Sequence, residues 1–236
     1  MDVHDMNLIL DRAFAVREHW SLEASGTFEE GVHLVSGDVG SGKSTLALMM
    51  AGLFPLSGGS IGKTEIRSCM LSLQFPELHI TGNSVKEECT SWGNSADEIL
   101  RVASLIGRED TSPFSLSRGE LKRLQLACVF SKNHDLLLLD EPFSSLDCAE
   151  KAKLCTTIGQ KSGITIIFTH EHEILPRVFR IWEIVDGVLT DCGRPPGAYR
   201  HWHHAPPLIK RLADQGLVPG NISPEDIEEA ACRIRG

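Results

Sequence analysis

Apolar residues in this chain gather into short runs and alternations, separated by glycine, proline and polar turns. Val32-His33-Leu34-Val35 is short and largely apolar and predicts a strand. Asp135-Leu136-Leu137-Leu138-Leu139-Asp140 and Ile164-Thr165-Ile166-Ile167-Phe168-Thr169 predict strands covered on both faces, as in a parallel sheet. Ser68-Cys69-Met70-Leu71-Ser72-Leu73 predicts another core strand, ending on Gln74. The first 36 residues read as β-rich: Asn7–Leu10, Ala13–Val16, then Trp20–Ala24, whose alternation suits a half-exposed antiparallel strand. Ser25-Gly26-Thr27 predicts a turn and Pro55–Ser60 a loop. Thr45–Leu53 predicts a helix that Gly52 helps to end. From 75 to about 130 the pattern becomes helical. Ala96–Ile106 carries Ile99, Val102, Ala103 and Ile106 at helical spacing, with Gly107 after it, and a further pattern falls at Leu121, Leu124 and Cys128. The helical stretch between 140 and 164 suits a right-handed crossover. Arg180–Val185 and Val188-Leu189 flank Asp186-Gly187, a hairpin signal. Past residue 191, a linker at 193–197 leads to a helix from Ala205-Pro206-Pro207 to about Leu212. Ser223-Pro224-Glu225-Asp226 then offers an N-cap, a first-turn proline and acids for a last helix.

At 236 residues, 42% hydrophobic and 23% charged, the chain suits one large globular domain or one with subdomains. A net charge of −9 disfavours nucleic acid as its main partner. Seven cysteines, an odd number without C-x-x-C spacing, suggest free thiols in a reducing compartment. The polar, acidic Met1-Asp2-Val3-His4-Asp5 is unlike a signal peptide, and no apolar run approaches the ~20 residues of a membrane span, so any membrane role would pass through a partner chain.

Gly37-Asp38-Val39-Gly40-Ser41-Gly42-Lys43-Ser44-Thr45 fits G-x-x-x-x-G-K-[ST], the phosphate-binding P-loop. It lies between a predicted strand and a predicted helix, the context the motif needs. Glycines let the backbone N–H groups wrap a phosphate, and the helix N-terminus adds its positive dipole end. Lys43 is expected to reach the β- and γ-phosphates and the Ser44 hydroxyl to ligand Mg²⁺.

Four further motifs follow in order. They are Gln74 after its strand, Leu116-Ser117-Arg118-Gly119-Glu120 before a helix, Leu136-Leu137-Leu138-Leu139-Asp140-Glu141-Pro142 with Ser145-Leu146-Asp147, and His170 after the last core strand. Together they resemble the ATPase subunits of ATP-binding-cassette (ABC) systems. That resemblance implies an α/β fold: a P-loop NTPase (RecA-like) core with an antiparallel β-subdomain, an inserted α-helical signature subdomain at about 75–130, and a small helical C-terminal extension. The ATPase domain would span 1–190 and the extension 191–236.

The resemblance also implies roles. Asp140 would hold Mg²⁺ with Ser44 and Gln74, Glu141 would polarise the attacking water, and His170 would sense the γ-phosphate. Ser117 and Gly119, in a signature motif departing from Leu-Ser-Gly-Gly-Gln at Arg118 and Glu120, would face ATP bound by an opposing subunit. An aromatic from the early β-region would stack on adenine: Phe14, 29 residues before Lys43, with Trp20 the rival. His172 falls off the motif and reads as structural. His201-Trp202-His203-His204 reads as solvated histidines rather than a metal site.

Gln74-Phe75-Pro76-Glu77-Leu78-His79 resembles the Gln-x-Pro-x-x-Gln of energy-coupling-factor (ECF) importers of vitamins, cobalt and nickel, with His79 replacing the second Gln. Ser112-Pro113-Phe114 is also typical of that group, and the tail resembles its C-terminal extension more loosely. The implied protein is a peripheral ATPase on the cytoplasmic face of the membrane. It would use ATP and Mg²⁺ and pair with a second ABC ATPase subunit, a transmembrane coupling protein and a substrate-binding membrane subunit. Alternatives are the ATPase of another ABC importer or exporter, or a non-transport ABC ATPase of DNA repair or chromosome maintenance. The 43 positions between Gln74 and Ser117, without heptads, disfavour the last, whose members carry long coiled coils there.

Overall fold

The computed structural model describes residues 6–17, 19–93 and 95–232; Met1–Asp5, read above as no leader, lie outside them. In chain order the elements are β1 (Asn7–Arg17), β2 (Trp20–Glu29), β3 (Gly31–Ser36), α1 (Lys43–Ala51), β4 (Gly58–Thr64), β5 (Cys69–Ser72), α2 (Val85–Ser91), α3 (Ala96–Ala103) and α4 (Arg118–Phe130). Then come β6 (Leu136–Asp140), α5 (Cys148–Gly159), β7 (Ile164–Phe168), β8 (Arg180–Val185), β9 (Val188–Gly193), α6 (Pro207–Asp214) and α7 (Pro224–Cys232). Among the described residues the strands form one sheet, ordered β4-β1-β2-β9-β8-β3-β7-β6-β5.

The all-leucine run of β6 shows how the core is built. Side chains alternate across a strand. Leu136 and Leu138 join a cluster with Leu46, Ala47 and Met50 of α1, while Leu137 and Leu139 join another with Leu126 and Val129 of α4 and Leu154 and Ile158 of α5. Both faces are covered, so every residue of β6 is buried. A third cluster unites α2, α3 and one face of α4 through Val85, Ile99, Leu100, Leu121 and Leu124. Helix α4 thus belongs to both the helical subdomain and the sheet.

Strands β8, β3, β7, β6 and β5 run parallel, with Leu34 opposite Ile167, Leu138 opposite Ile166, and Ser72 opposite Leu139. Parallel register carries the carboxyl ends of β3, β5, β6 and β7 to one edge. The P-loop, Gln74, Asp140-Glu141 and His170 leave those ends, where open α/β sheets bind ligands.

The fold corrects several expectations. Residues 25–27 make no turn: β2 continues to Glu29, and the Trp182 ring lies so close to Gly26 that a Cβ there would sit 2.6 Å from it. The predicted loop at 55–60 gives way at Gly58 to strand β4. There β1 bulges between Leu10 and Ala13, with Arg12 at φ 45°. A Cβ on Gly59, at φ +72°, would lie 1.9 Å from the Arg12 carbonyl oxygen, so this composition serves an edge strand against a bulge. Helix α3 stops at Ala103, short of the expected Ile106. Ser104 turns left-handed, Leu105 N–H returns to the Leu100 carbonyl, and Leu105 enters the core while Val102 and Ile106 stay exposed.

The Asp186-Gly187 hairpin forms as expected, both residues at positive φ. In the C-terminal segment, Ala198, Tyr199, Trp202, Ala205, Ile209 and Ile222 pack into the sheet's second cluster.

Candidate active site

A cleft opens at the carboxyl edge, lined by Trp20, Val39, Gly40, Gly42, Lys43, Ser44, Thr45, Gln74, Glu141 and His170. Helix α1 begins inside it. Gly42 caps α1 in a left-handed conformation without a side-chain bond, and no acid occupies the first turn, so its N–H groups face outward beside a positive dipole end. Lys43 is buried, and its Nζ donates to the carbonyls of Gly37 (2.7 Å) and Asp38 (2.8 Å). Burial lowers its pKa, against the pull of Glu141 and Asp140.

The two carboxylates that end β6 are buried differently. Asp140 is hydrogen-bonded by the Ser44 hydroxyl, burial raises its pKa, and its Oδ1 has no protein partner. Glu141, at φ 46°, is held by three donors: Thr169 Oγ1 at 2.8 Å, His170 N–H at 3.1 Å and His170 Nδ1 at 2.7 Å. The carboxylate only accepts, so the His170 proton sits on Nδ1 in this arrangement. Thr169, read from the sequence as a strand end, is the fully buried residue that fixes Glu141.

Gln74 reaches the cleft from a gripped strand end. Gln125 Nε2 donates to the Leu73 carbonyl (2.9 Å), Lys122 Nζ to the Gln74 carbonyl (3.4 Å), and His79 Nε2 accepts the Leu73 N–H (2.8 Å). His79 thus serves where the resemblance expected glutamine; burial, then Lys122, lowers its pKa. Lys122 and Gln125 sit on buried positions of α4, a coupling that the helical pattern at Leu121, Leu124 and Cys128 did not reveal.

Ser117 and Gly119 do not line this cleft. Ser117 caps α4, accepting the Glu120 N–H, while the Glu120 carboxylate takes both the Ser117 N–H and hydroxyl. Gly119 lies against the Ser145 carbonyl, 3.1 Å from an added Cβ, and Asp147 caps α5. Phe14 is also elsewhere: its ring lies over Gly58, on the bulged β1–β4 ribbon. Trp20, the first residue of β2, lines the cleft instead, against Gly42. His172 is half-buried, edge-to-face with Trp202 at 5.3 Å. Of the histidines expected to be solvated, His201 and His203 are exposed, while His204 is half-buried; His203 and His204 both bond the buried Glu183 carboxylate.

A P-loop at the carboxyl edge of a parallel sheet, with a buried Asp-Glu pair beside it, defines a P-loop nucleotide triphosphatase. Comparison narrows the class: the sequence profile of the ABC transporter family matches residues 23–144. The chain belongs to that family and is an ATP-binding ATPase subunit of an ABC transporter. It is 27% identical to the energy-coupling factor transporter ATP-binding protein EcfA2 of Streptococcus pneumoniae, over 91% of each chain. It is 32% identical to the cytochrome c biogenesis ATP-binding export protein CcmA of Mannheimia succiniciproducens, over 58% of this chain and 74% of that one. A solved structure of an RNase-L inhibitor shares the fold, with a TM-score of 0.66 over 85% of this chain at 20% identity; the match spans 42% of that longer chain.

Proposed function

We propose that this chain is the ATPase of an ECF-type importer of a vitamin or transition-metal ion, acting as half of a paired ATP site. The observation that carries the pairing is the separation of Ser117 and Gly119 from the cleft that holds Lys43, Glu141 and His170. One chain presents a phosphate cradle and a base, while its signature residues face away. A second ABC ATPase chain, identical or a paralogue, supplies the missing half, and ATP draws the two together.

Within the cleft, the 37–45 loop wraps the phosphates and Lys43 exchanges its two carbonyls for phosphate oxygens. Trp20, not Phe14, offers its face to adenine. Glu141 is positioned by Thr169 and by the His170 N–H, and when the His170 ring turns toward the γ-phosphate one acceptor position on Oε1 opens to orient a water. The unpartnered Asp140 Oδ1 beside the Ser44 hydroxyl, with Gln74 at the cleft, is a hard-oxygen donor set that fits Mg²⁺. When bound there it would neutralise charge on the β- and γ-phosphates.

The ECF assignment rests on Gln74–His79 and Ser112–Phe114, and on the exposure of Phe75 (60%), Leu78 (68%) and Phe114 (65%). These are apolar side chains on the helical subdomain, available to a membrane coupling protein. No helix among the described residues is long and apolar enough to cross a membrane. The chain would therefore sit on the cytoplasmic face through such a partner, with 1–190 as the ATPase domain and 191–236 as its extension.

Glu141→Gln tests the chemistry: ATP binding should stay within about twofold while turnover falls on the order of 10²-fold or more. Full turnover would remove Glu141 from its role. Affinity purification from native membranes tests the transporter class. A small polytopic protein and a paralogous ATPase are expected; a paired permease with a binding protein would point to another importer.

A further inference from the structure

The histidine run His201–His204 plays no part in the ATPase reading, yet it folds directly against the P-loop. Its anchor is Glu183 on β8, a buried carboxylate that accepts four bonds from two successive residues. They come from the His203 N–H (3.1 Å), His203 Nδ1 (2.8 Å), the His204 N–H (2.7 Å) and His204 Nδ1. From that anchor Trp202 Nε1–H donates to Ser36 Oγ at 2.7 Å, on the residue just before the loop. On the far side, His204 Nε2 lies 3.2 Å from Asp38 Oδ1, within the loop itself.

Held by Glu183 through its N–H and Nδ1, His204 turns Nε2 toward the loop, so that the ring stands between the Glu183 and Asp38 carboxylates. One of them, Asp38, is an acid in a loop that has to receive a triphosphate. Left uncompensated, it repels the ligand and is free to swing, being mostly exposed. We propose that His204 is a positioning residue of the phosphate loop: held rigid by Glu183, it stands against Asp38 and limits where that carboxylate swings beside the incoming nucleotide. The C-terminal segment thereby becomes a brace for the ATP site. This rests on the P-loop as the ATP cradle.

The test is equilibrium binding of a fluorescent ATP analogue with Mg²⁺ to the full chain, arranged as a double-mutant cycle. His204→Ala should weaken binding about three- to fivefold, the scale of a surface side-chain contact. His203→Ala, which removes a ring bonded to the same Glu183 but not to the loop, should leave affinity unchanged. In an Asp38→Ala background, His204→Ala should have no further effect, whereas a role confined to holding the fold would persist there. An unchanged affinity in His204→Ala, or the same loss in both backgrounds, would overturn the proposal. Thermal melting checks each variant, and His204→Gln, which keeps one donor for Glu183 and loses the ring nitrogen beside Asp38, replaces the alanine variant if that one does not fold. A wild-type chain that binds no analogue would overturn the nucleotide reading itself, and is thus told apart from failure of the brace.

Discussion

Two histidines outside the proposed chemistry, His33 buried and His172 half-buried, weaken the fold in acid. His33 donates Nε2–H to the Glu29 carbonyl at 2.8 Å and accepts Trp182 Nε1–H at Nδ1 at 3.3 Å, so the neutral ring satisfies both contacts. Burial lowers its pKa to about 4. His172 is lowered to about 4 by burial first, then by the positive potential of His204 and His170. Below the ordinary value of 6.5 the unfolded chain takes up these protons and the folded one does not. Stability therefore falls as pH drops from about 6.5 to about 4, by about 2 kcal/mol per histidine at pH 5. Urea unfolding should show a lower midpoint at pH 5 than at pH 7, with a smaller drop in His33→Gln; a midpoint that holds or rises at pH 5 would contradict the assignment. At this scale Lys43, Glu141 and His170, each singled out from a short motif, meet at one cleft in the fold. The sequence could not rank Phe14 against Trp20, since only tertiary packing sets Trp20 against Gly42 and Phe14 against Gly58.

Strand β4 shows what composition alone conceals. Its glycines read as a loop because glycine weakens strands in general, yet here they admit the β1 bulge and the Phe14 ring. Gly59→Ala should cost on the order of 2 kcal/mol or more, from both positive φ and collision with the Arg12 carbonyl. Gly62→Ala, with nothing nearer than 4.0 Å, should be close to neutral. Denaturant midpoints of the two variants make the comparison, and equal effects would refute the steric account. The core strands were legible because a parallel strand covered on both faces must be apolar throughout, and β6 and β7 are buried along their whole length. Helix α3 was drawn too long because its last apolar residue, Ile106, belongs to the turn after Ser104 rather than to the buried face.

For the molecule as a whole, the division of site residues between two surfaces governs the outcome of substitution. Ser117→Arg should leave ATP binding by the isolated chain unchanged, since Ser117 does not line its own cleft. Turnover of the membrane-assembled complex should fall on the order of 10²-fold, because a bulky cation would occupy the surface that meets the partner's nucleotide. Loss of binding in the isolated chain would mean that both halves of the site lie in one subunit. The sequence by itself determined the phosphate loop, the acid pair, the order of the motifs and the strands that carry them. Each depends on residues within a turn or on one strand's alternation, and such local chemistry is written in consecutive letters. The tertiary structure decided that Trp20 rather than Phe14 meets the cleft, that α4 grips Gln74 through Lys122 and Gln125, and that the C-terminal histidines reach the loop. The Trp202–Ser36 bond joins residues 166 positions apart, and only packing of the second core cluster brings them within hydrogen-bonding distance.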